Sequence, residues 1–418
     1  MQGEIITIGD ELTSGRVLDL NACYAAGRLT ASGLRVMRVT TVGDDPERVA
    51  RAVREALKES EFIIITGGLG STEDDITCRI VADTLNRPLR LDQEKFEQIR
   101  RYVRTRGLNM SPSLEKMAWM PKDSRVLTSS EDVCGFSVVE GKVRLYFLPG
   151  VPEQMRYLMD KYVLPEILHY YPSLPVHRHR ILKIYGLDES SIAEILKDLS
   201  KRAEDMVLGF YPHFPENHLT ISLRGQDEPI VTRRLDSMEK EIYGLLGSFV
   251  FASGDESLAG VVGEAIRKRG MTISAAESCT GGLIGKLLTS IPGSSTYFQG
   301  GVVAYSNQSK MDLLGVLSET LLRHGAVSDE TVREMAEGVR RIMKTDMGLA
   351  VTGIAGPDGG SEDKPVGTVH IGLATDRETI SGKYRFWGTR GQVRLNTAMM
   401  ALDWVRRFLN GYSLIPGL

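Results

Sequence analysis

The sequence predicts an α/β protein in which two domains built on parallel sheets are joined by a smaller α+β domain. Its 418 residues are enough for two or three domains of ordinary size. In the first and last thirds of the chain, short apolar runs alternate with segments of helical periodicity, which is typical of parallel sheets covered by helices. Between them, several short segments change to an apolar period of two. The predicted domains are residues 1–170, 176–252 and 255–418.

The composition indicates a globular protein of a reducing compartment. Hydrophobic residues make up 42% and charged residues 25%, a balance that excludes disordered and fibrous chains. The four cysteines have neither metal-ligand nor disulfide-framework spacing. The N-terminus is acidic where a signal peptide is basic, and no apolar run approaches the roughly 20 residues of a membrane span. We therefore expect a cytoplasmic protein without a membrane partner.

The first predicted domain alternates strands and helices. A fully apolar run at residues 62–66 ends in Gly67-Gly68-Leu69-Gly70, so a glycine loop follows a buried strand. A second buried strand ends at Pro149-Gly150. The predicted elements are strands 4–8, 34–42, 62–66 and 143–148, and helices 21–32, 46–60 and one that ends near residue 168.

The middle segment predicts strands at 179–185 and 219–223 and helices at 189–199 and 229–246. This order could suggest a KH module, which binds RNA, but the segment has no G-x-x-G loop and is not basic. The whole chain carries 51 basic and 54 acidic residues without blocks of like charge. Nucleic acid is therefore a disfavoured partner, and we expect a spacer or dimerising role for this domain.

The last predicted domain returns to the α/β pattern. Its first strand gives way to Ala276-Glu277-Ser278-Cys279-Thr280-Gly281-Gly282, where a helix begins. The free N–H groups of a helix start could bind an anion there. Alternatively, Ser278 or Thr280 is the N-cap and the glycines permit a tight turn. The predicted strands are 271–276, 302–305, 348–352 and 368–374, and the helices are 258–268, 331–343 and 392–409.

Three polar side chains in this domain could form a nucleophilic site. Ser295 lies in a Pro-Gly-Ser-Ser turn, Tyr305 ends a predicted strand, and Lys310 follows five residues later. A serine hydroxyl needs a base to take its proton, and a desolvated lysine of lowered pKa can do so with a tyrosine orienting it. Each residue alone has an ordinary alternative as a turn residue, a half-buried strand residue and a surface charge.

A glycine-rich loop follows the strand at 348–352. Its glycines Gly353, Gly356 and Gly359 allow backbone to approach a ligand closely, although the loop lacks the Gly-Lys-Ser/Thr ending of a phosphate-binding Walker loop. Arg390 and Arg394 are spaced i,i+4 at the start of the last helix, so both could face a phosphate. A solvated helix face is the alternative for these arginines.

The motifs AESCTGG, PGSSTYFQGGVVAYSNQSK, HGAVSDETVREMA and VTGIAGPDGGSEDKPVGTV resemble the CinA C-terminal (PncC-type) family of nicotinamide mononucleotide amidohydrolases. The resemblance implies hydrolysis of the nicotinamide carboxamide to nicotinate mononucleotide and ammonia, without a cofactor. It implies Ser295 as nucleophile, Lys310 as base, Tyr305 as assisting phenol and Arg390 in the substrate site. The substrate would also meet residues on two loops: Thr280, Gly281, Gly353, Gly356 and Gly359.

The N-terminal third resembles the molybdopterin-binding-like domain of full-length CinA, on motifs that include GDEL, the GGLGSTEDDIT loop and LPGVPEQM. In some family members this domain is a metal-dependent ADP-ribose pyrophosphatase. The resemblance implies a nucleotide site and a divalent-metal site. The nucleotide residues are Asp10, Gly68, Gly70, Thr72 and Asp75, and the metal ligands are Asp44 and Asp74.

Two segments depart from the family pattern. Ser71 replaces a proline of the glycine loop, and Glu131 and Asp132 stand where the family has small residues. These two carboxylates would repel a diphosphate unless a metal intervenes, which questions the pyrophosphatase activity.

Three hypotheses follow for the chain's function. It is an amidase acting on nicotinamide mononucleotide, a metal-dependent ADP-ribose pyrophosphatase, or a non-catalytic nucleotide-binding scaffold. For any of the three, the middle domain and the resemblance suggest a homodimer.

Overall fold

The computed structural model describes residues 1–73, 75–128, 134–171, 174–202 and 206–414. The chain forms two compact units, residues 1–178 with 223–233 and residues 179–222 with 234–418. No helix within the described ranges is long and apolar enough to cross a membrane.

The N-terminal part contains a six-stranded sheet in the order β2-β1-β3-β8-β7-β6. The predicted parallel sheet is confirmed for β2, β1, β3 and β8, whereas β7 pairs antiparallel with β8 and β6 pairs antiparallel with β7. The elements are β1 (Gln2–Ile8), α1 (Asp10–Thr13), α2 (Leu20–Ala31), β2 (Arg35–Val42), α3 (Pro46–Glu59), β3 (Phe62–Thr66), α4 (Thr77–Thr84), β4 (Leu89–Leu91), α5 (Gln93–Thr105), α6 (Pro112–Lys116), β5 (Trp119–Pro121), β6 (Arg125–Val126), β7 (Phe136–Glu140), β8 (Val143–Leu148), α7 (Pro152–Leu158), a π-helical turn (Met159–Val163) and α8 (Leu164–Tyr170).

The central strand β3 is buried on both faces, as its apolar run predicts. Phe62 and Ile64 pack in the cluster that contains α2 and α7, while Ile63 and Ile65 pack on the opposite side with α3 and α4. Because successive side chains of a strand point to opposite faces, the single apolar run of β3 packs against the helices on both faces of the sheet.

The middle part is a four-stranded sheet in the order β10-β11-β9-β12. The sequence predicted two of its strands and missed β10 and β12. The elements are β9 (Val176–Ile184), α9 (Glu189–Ile195), α10 (Lys197–Arg202), β10 (Met206–His213), β11 (Glu216–Gly225), α11 (Glu228–Leu246), a 3-10 turn (Gly247–Phe249) and β12 (Val250–Ser253).

The C-terminal part is a five-stranded sheet in the order β14-β13-β15-β16-β17. The first three strands are parallel, β16 pairs antiparallel with β15, and β17 pairs antiparallel with β16. The elements are α12 (Leu258–Lys268), β13 (Ile273–Glu277), α13 (Leu283–Thr289), a 3-10 turn (Ser294–Thr296), β14 (Phe298–Val303), α14 (Asn307–Leu314), α15 (Ser318–His324), α16 (Asp329–Met343), β15 (Met347–Gly353), β16 (Thr368–Ala374), β17 (Thr379–Arg385) and α17 (Arg390–Leu409).

The helices of this part cover both faces of the sheet. Ala275 of β13 and Leu349 of β15 pack in the cluster that contains α12 and α17, whereas Ala276 and Ala350 face α16. Strands β13, β14 and β15 all end at the same edge because they are parallel. In open α/β sheets this carboxyl edge is where ligands bind.

Candidate functional site

Lys310 is a buried amine at the carboxyl edge of the C-terminal sheet. It lies on α14 with 1% of its surface exposed. Its Nζ donates to the hydroxyl of Ser278 at 3.0 Å and to the carbonyl of Ala304 at 2.9 Å. The carbonyl of Tyr305 lies at 3.5 Å from the same nitrogen. All three acceptors are neutral, so no carboxylate neutralises this ammonium through the described hydrogen bonds.

Burial lowers the pKa of Lys310, because the charged ammonium loses its hydration. The nearby Cys279 acts weakly in the opposite direction. A lowered pKa increases the fraction of neutral amine, which is the form that can accept a proton. The amine and the hydroxyl it contacts therefore have the geometry of a base and its nucleophile.

Sheet register brings these two groups together. Ser278 immediately follows β13, and Glu277 pairs with Val303, the last residue of the neighbouring parallel strand β14. The N–H of Ala304 donates to the carbonyl of Glu277 at 2.9 Å. The backbone N–H of Ser278 donates to the carbonyl of Val351 on β15 at 3.1 Å. The hydroxyl is therefore anchored to both neighbouring strands.

The structure corrects the serine that was paired with Lys310. Ser295 lies exposed on the 3-10 turn that precedes β14, and so at the opposite edge of the sheet. The five residue steps from Phe298 to Val303 separate the two edges by about 17 Å. Ser278, for which the sequence left open an anion-binding helix start or a helix N-cap, contacts the lysine instead. The sequence contained a clue to this choice. Ser278 comes directly after a strand, whereas Ser295 comes before one, so the two serines lie at opposite edges of a parallel sheet.

Tyr305 lies beyond the end of β14 rather than within a strand, and 60% of its surface is exposed. Its hydroxyl accepts a hydrogen bond from Nη2 of Arg390 at 2.7 Å. Nη1 of the same arginine donates to the carbonyl of Gly356 at 2.7 Å. Arg390 is the first residue of α17, whose start is fixed by a capping box between Thr389 and Gln392. The structure thus joins Tyr305, Arg390 and Gly356.

The loop after Ser278 is held by the second predicted arginine. Nε and Nη2 of Arg394 donate to the carbonyl of Thr280 at 3.2 and 2.6 Å. Gly281 and Gly282 have φ angles of +59° and +93°, so the turn needs residues that adopt left-handed backbone. The hydroxyl of Thr280 is buried and has no hydrogen-bond partner among the residues described.

The predicted glycine loop divides into structural and exposed positions. Gly353 still belongs to β15, where an added Cβ would come within 2.8 Å of the carbonyl of Thr368. Gly353 therefore serves the packing of β15 against β16. Gly356 has a φ of +80° and binds Arg390 through its carbonyl, whereas Gly359 is exposed.

Glu277 was missed by the sequence interpretation. It is 3% exposed, and its carboxylate accepts hydrogen bonds from the N–H groups of Gly282 at 2.9 Å, Ile284 at 3.1 Å and Gly285 at 2.8 Å. These are the N–H groups that, in one of the two sequence interpretations, could bind an external anion. The start of α13 is instead filled by the protein's own carboxylate, which complements the positive end of the helix.

Replacing Glu277 by Gln is expected to lower turnover about tenfold or more while leaving the fold intact. The amide removes the negative charge and points one N–H group at backbone donors, so the loop that carries Ser278 loses part of its anchoring. A steady-state assay of the hydrolysis that the sequence motifs imply and a thermal melt measure the two effects. Glu264→Gln, an exposed glutamate on α12, is the matched control. Wild-type turnover in Glu277→Gln would show that the three hydrogen bonds do not position the site.

A cleft of about 330 Å³ lies at the carboxyl edge of the N-terminal sheet. Its lining includes Gly68, Gly70, Asp44 and Asp75 from the loops that follow β2 and β3. Asp10 is tied to Asp44, since the N–H of each donates to the other's carboxylate, at 2.9 and 3.2 Å.

Thr72 is positioned by the same group of residues. Its N–H and hydroxyl donate to Oδ2 of Asp75 at 2.9 and 2.6 Å. The predicted nucleotide residues of this domain are therefore neighbours.

The predicted metal site is not assembled by the described residues. Asp44 lies in the cleft, but Asp74 lies outside the described residues, as does the segment 129–133 with Glu131 and Asp132. Across the part of the chain that is described, no group of three His, Cys, Asp or Glu side chains could hold a metal ion. Asp44 and the other described residues of the cleft do not by themselves form a binding site for a divalent cation.

Comparisons with known proteins assign the three parts of the chain separately. The family described as "Probable molybdopterin binding domain" matches residues 4–169. "Damage-inducible protein CinA KH domain" matches 179–252, and "CinA C-terminal domain" matches 255–409.

Full-length relatives and a solved structure carry the same family name or description. A "CinA-like protein" of Geotalea uraniireducens is 38% identical over 405 residues, covering 97% of this chain and 96% of the relative. One from Desulfotalea psychrophila is 37% identical, covering 98% and 99%. The crystal structure of the competence/damage inducible protein CihA from Agrobacterium tumefaciens is 42% identical, with a TM-score of 0.36, covering 37% of this chain and 93% of that one. On the identity and coverage of its full-length relatives, the chain belongs to the CinA family.

Proposed function

We propose that the chain hydrolyses the carboxamide of nicotinamide mononucleotide to nicotinate mononucleotide and ammonia. The observation that carries the proposal is the 3.0 Å contact between the Lys310 amine and the Ser278 hydroxyl, both in a buried environment. A buried lysine in this position can accept the proton of the serine hydroxyl, whereas a lysine exposed on the surface does not contact the serine. The choice of a nucleotide as substrate is based on the resemblance of the sequence motifs to those of the amidohydrolases.

The reaction follows from these two groups. Neutral Lys310 accepts the hydroxyl proton as the Ser278 oxygen attacks the carboxamide carbon, giving a tetrahedral intermediate. The resulting ammonium returns the proton to the departing nitrogen, so the C–N bond breaks and ammonia leaves. Water then attacks the acyl-serine ester with Lys310 again as base, which releases the carboxylate and restores the hydroxyl.

We assign Tyr305 and Arg390 to substrate orientation. The guanidinium clamps the phenol and the Gly356 carbonyl, so the exposed ring of Tyr305 has a fixed position next to the lysine segment. A fixed aromatic ring and a cation at the mouth of the site suit a pyridine nucleotide. We assign Thr280 and Gly281 to substrate contact as well, on the loop that Arg394 holds through the carbonyl of Thr280.

Ammonia release from nicotinamide mononucleotide tests the proposal. Wild type is expected to release ammonia with and without chelator, Ser278→Ala to lose the activity, and Ser295→Ala to retain it. Release that needs metal would contradict the mechanism. Loss in Ser295→Ala with retention in Ser278→Ala would restore the serine that the sequence favoured.

The pH profile is expected to report on Lys310. Because the amine must be neutral to act as base and burial lowers its pKa, kcat/KM should rise with pH through a midpoint below the ordinary lysine value. Initial rates of ammonia release across a pH series measure it. A midpoint at or above the ordinary lysine pKa would mean that the amine is not the desolvated base.

The ADP-ribose pyrophosphatase activity, its metal and the homodimer stay predictions. The cleft next to Gly68 and Gly70 supports nucleotide binding, but the described residues do not supply a metal-ligand set. Incubation with ADP-ribose, with and without Mg²⁺, distinguishes this second activity from the amidase. Light scattering of the full chain measures the oligomeric state.

A further inference from the structure

The glycine loop that follows β15 is held at a second point besides Gly356. Nζ of Lys364 donates a hydrogen bond to the carbonyl of His324 at 2.7 Å. His324 is the last residue of α15, and the final carbonyls of a helix have no partner within the helix. An ammonium group at this position binds one of these carbonyls and lies at the negative end of the helix dipole. The contact joins the loop to the link between α15 and α16, residues 325–328.

This link is itself fixed to the end of β15. The hydroxyl of Thr352, whose side chain is buried, donates to the carbonyl of Ala326 at 2.7 Å. At its other end the link enters α16 through Ser328, whose hydroxyl caps the helix. The glycine loop leaves the sheet at the same strand end. Lys364 therefore closes the loop back onto the edge of the sheet from which it starts.

The turn that carries Lys364 has its own hydrogen bonds. The N–H of Ser361 donates to the carbonyl of Lys364 at 2.9 Å, and the N–H of Lys364 donates to the hydroxyl of Ser361 at 3.1 Å. At the base of the loop, the N–H of Gly367 donates to the carbonyl of Ile354 at 2.8 Å. The lysine thus extends from an ordered turn.

The returning half of the loop packs against the outgoing half. A Cβ added to Gly356 would lie 2.6 Å from Cγ1 of Val366, two residues after the lysine. The carbonyl of Gly356 accepts a hydrogen bond from Arg390, and the same guanidinium holds the phenol of Tyr305. The position of Val366 therefore bears on the arginine and the ring at the mouth of the site.

We infer that Lys364 is a positioning residue that sets the affinity of the C-terminal site for its nucleotide. It acts through the loop and not by contact with the reacting atoms, and the identity of the ligand rests on the proposed function. Ser278 and Lys310 follow β13 and β14, so their contact does not depend on the Lys364 hydrogen bond. Loss of that bond should weaken binding of substrate and transition state alike, which raises KM with little change in kcat.

Lys364→Met is expected to raise KM for nicotinamide mononucleotide about fivefold and to leave kcat within about twofold of wild type. The effect is moderate because the lysine is only half-buried. Lys364→Arg keeps a cationic donor for the carbonyl of His324 and should recover most of the affinity. Lys383→Met, which changes an exposed lysine on β17, is the matched control and should leave both constants unchanged.

Amide hydrogen exchange tests the loop without relying on the amidase. Peptides covering residues 354–367 should exchange about threefold faster or more in Lys364→Met, because the N–H groups of Ser361 and Gly367 are protected by hydrogen bonds within the loop. Lys364→Arg should exchange at nearly the wild-type rate, and so should Lys383→Met.

Unchanged exchange in Lys364→Met would overturn the inference, as would an unchanged KM, a loss of kcat at constant KM, or a failure of arginine to restore the affinity. If wild type releases no ammonia, it is the proposed function that fails. Calorimetric titration with nicotinamide mononucleotide then decides the inference. The nucleotide must bind wild type and bind Lys364→Met about fivefold more weakly, and any other result overturns the role of the lysine.

Discussion

Lys310→Met is expected to reduce amide hydrolysis by about 10³-fold or more. The methionine fills a similar volume in the buried position but cannot take the Ser278 proton, and general-base catalysis of this kind contributes roughly 10²–10⁴ to a rate. Ser278→Ala should cost about as much, and the double variant little more, because the two groups act as one unit. Ammonia release under saturating nicotinamide mononucleotide measures kcat for all three variants.

The same substitution at an exposed lysine controls for charge and hydropathy. Lys286→Met, on α13, changes a solvent-facing side chain of the same unit and should leave kcat within about twofold of wild type. If Lys310→Met retained a substantial part of wild-type turnover, another group would have to be the base. The 3.0 Å contact would then be structural.

Asp403→Asn is expected to destabilise the C-terminal unit by about 3–5 kcal/mol. Its carboxylate, 1% exposed, binds Nε of Arg406 at 2.7 Å and Nε of Arg407 at 2.5 Å, and both arginines are themselves buried. Nη2 of Arg407 has no partner among the described residues even in the native protein. Loss of the charge leaves two buried guanidinium groups without an anion, which is costly because their hydration is not restored.

Denaturant unfolding followed by tryptophan fluorescence measures this loss, since buried Trp404 neighbours Asp403 on α17. Glu319→Ala is the contrasting variant. It breaks an ion pair with Arg323 in which both side chains are about two-thirds exposed, and it should change stability by under about 1 kcal/mol. Equal unfolding midpoints for the two variants would show that burial does not determine how much these ion pairs contribute to stability.

Apolar runs predicted the strands that are buried on both faces. Residues 62–66 and 143–148 match β3 and β8, because strands covered by helices on both faces are rich in apolar residues, which fill all of β3 and residues 145–148 of β8. Strand β14 was placed at 302–305 instead of 298–303, since Gly300 and Gly301 interrupt its period. The same shift wrongly put Tyr305 in a strand.

Antiparallel neighbours were harder to predict. Strands β7 and β8 are separated only by Gly141 and Lys142, and four residues separate β16 from β17. Links this short cannot make the crossover that a parallel pair requires, so both pairs are hairpins. The sequence patterns predicted β8 and β16 but missed β7 and β17, and link length indicates strand direction only once both strands of a pair are known.

The candidate site could be predicted as a set of residues but not as a geometry. The motifs pointed to Lys310, Tyr305, Arg390 and Gly356, but spacing along the chain could not select the serine that contacts Lys310. That choice depends on strand direction, because residues before and after a parallel strand lie at opposite edges of the sheet. Glu277 was missed because an acidic residue at a strand end gives no sign that backbone N–H groups will surround it.

The pairing of Glu277 with Val303 has a consequence for how this protein tolerates change. The Ser278 hydroxyl and the Lys310 amine are carried by segments that follow two adjacent strands, so the strand spacing of about 4.8 Å helps to set the distance between them. The loop that carries Gly356 and the helix start that carries Arg390 do not set that distance. Substitutions there can reshape the space offered to a ligand while the distance between hydroxyl and amine stays the same.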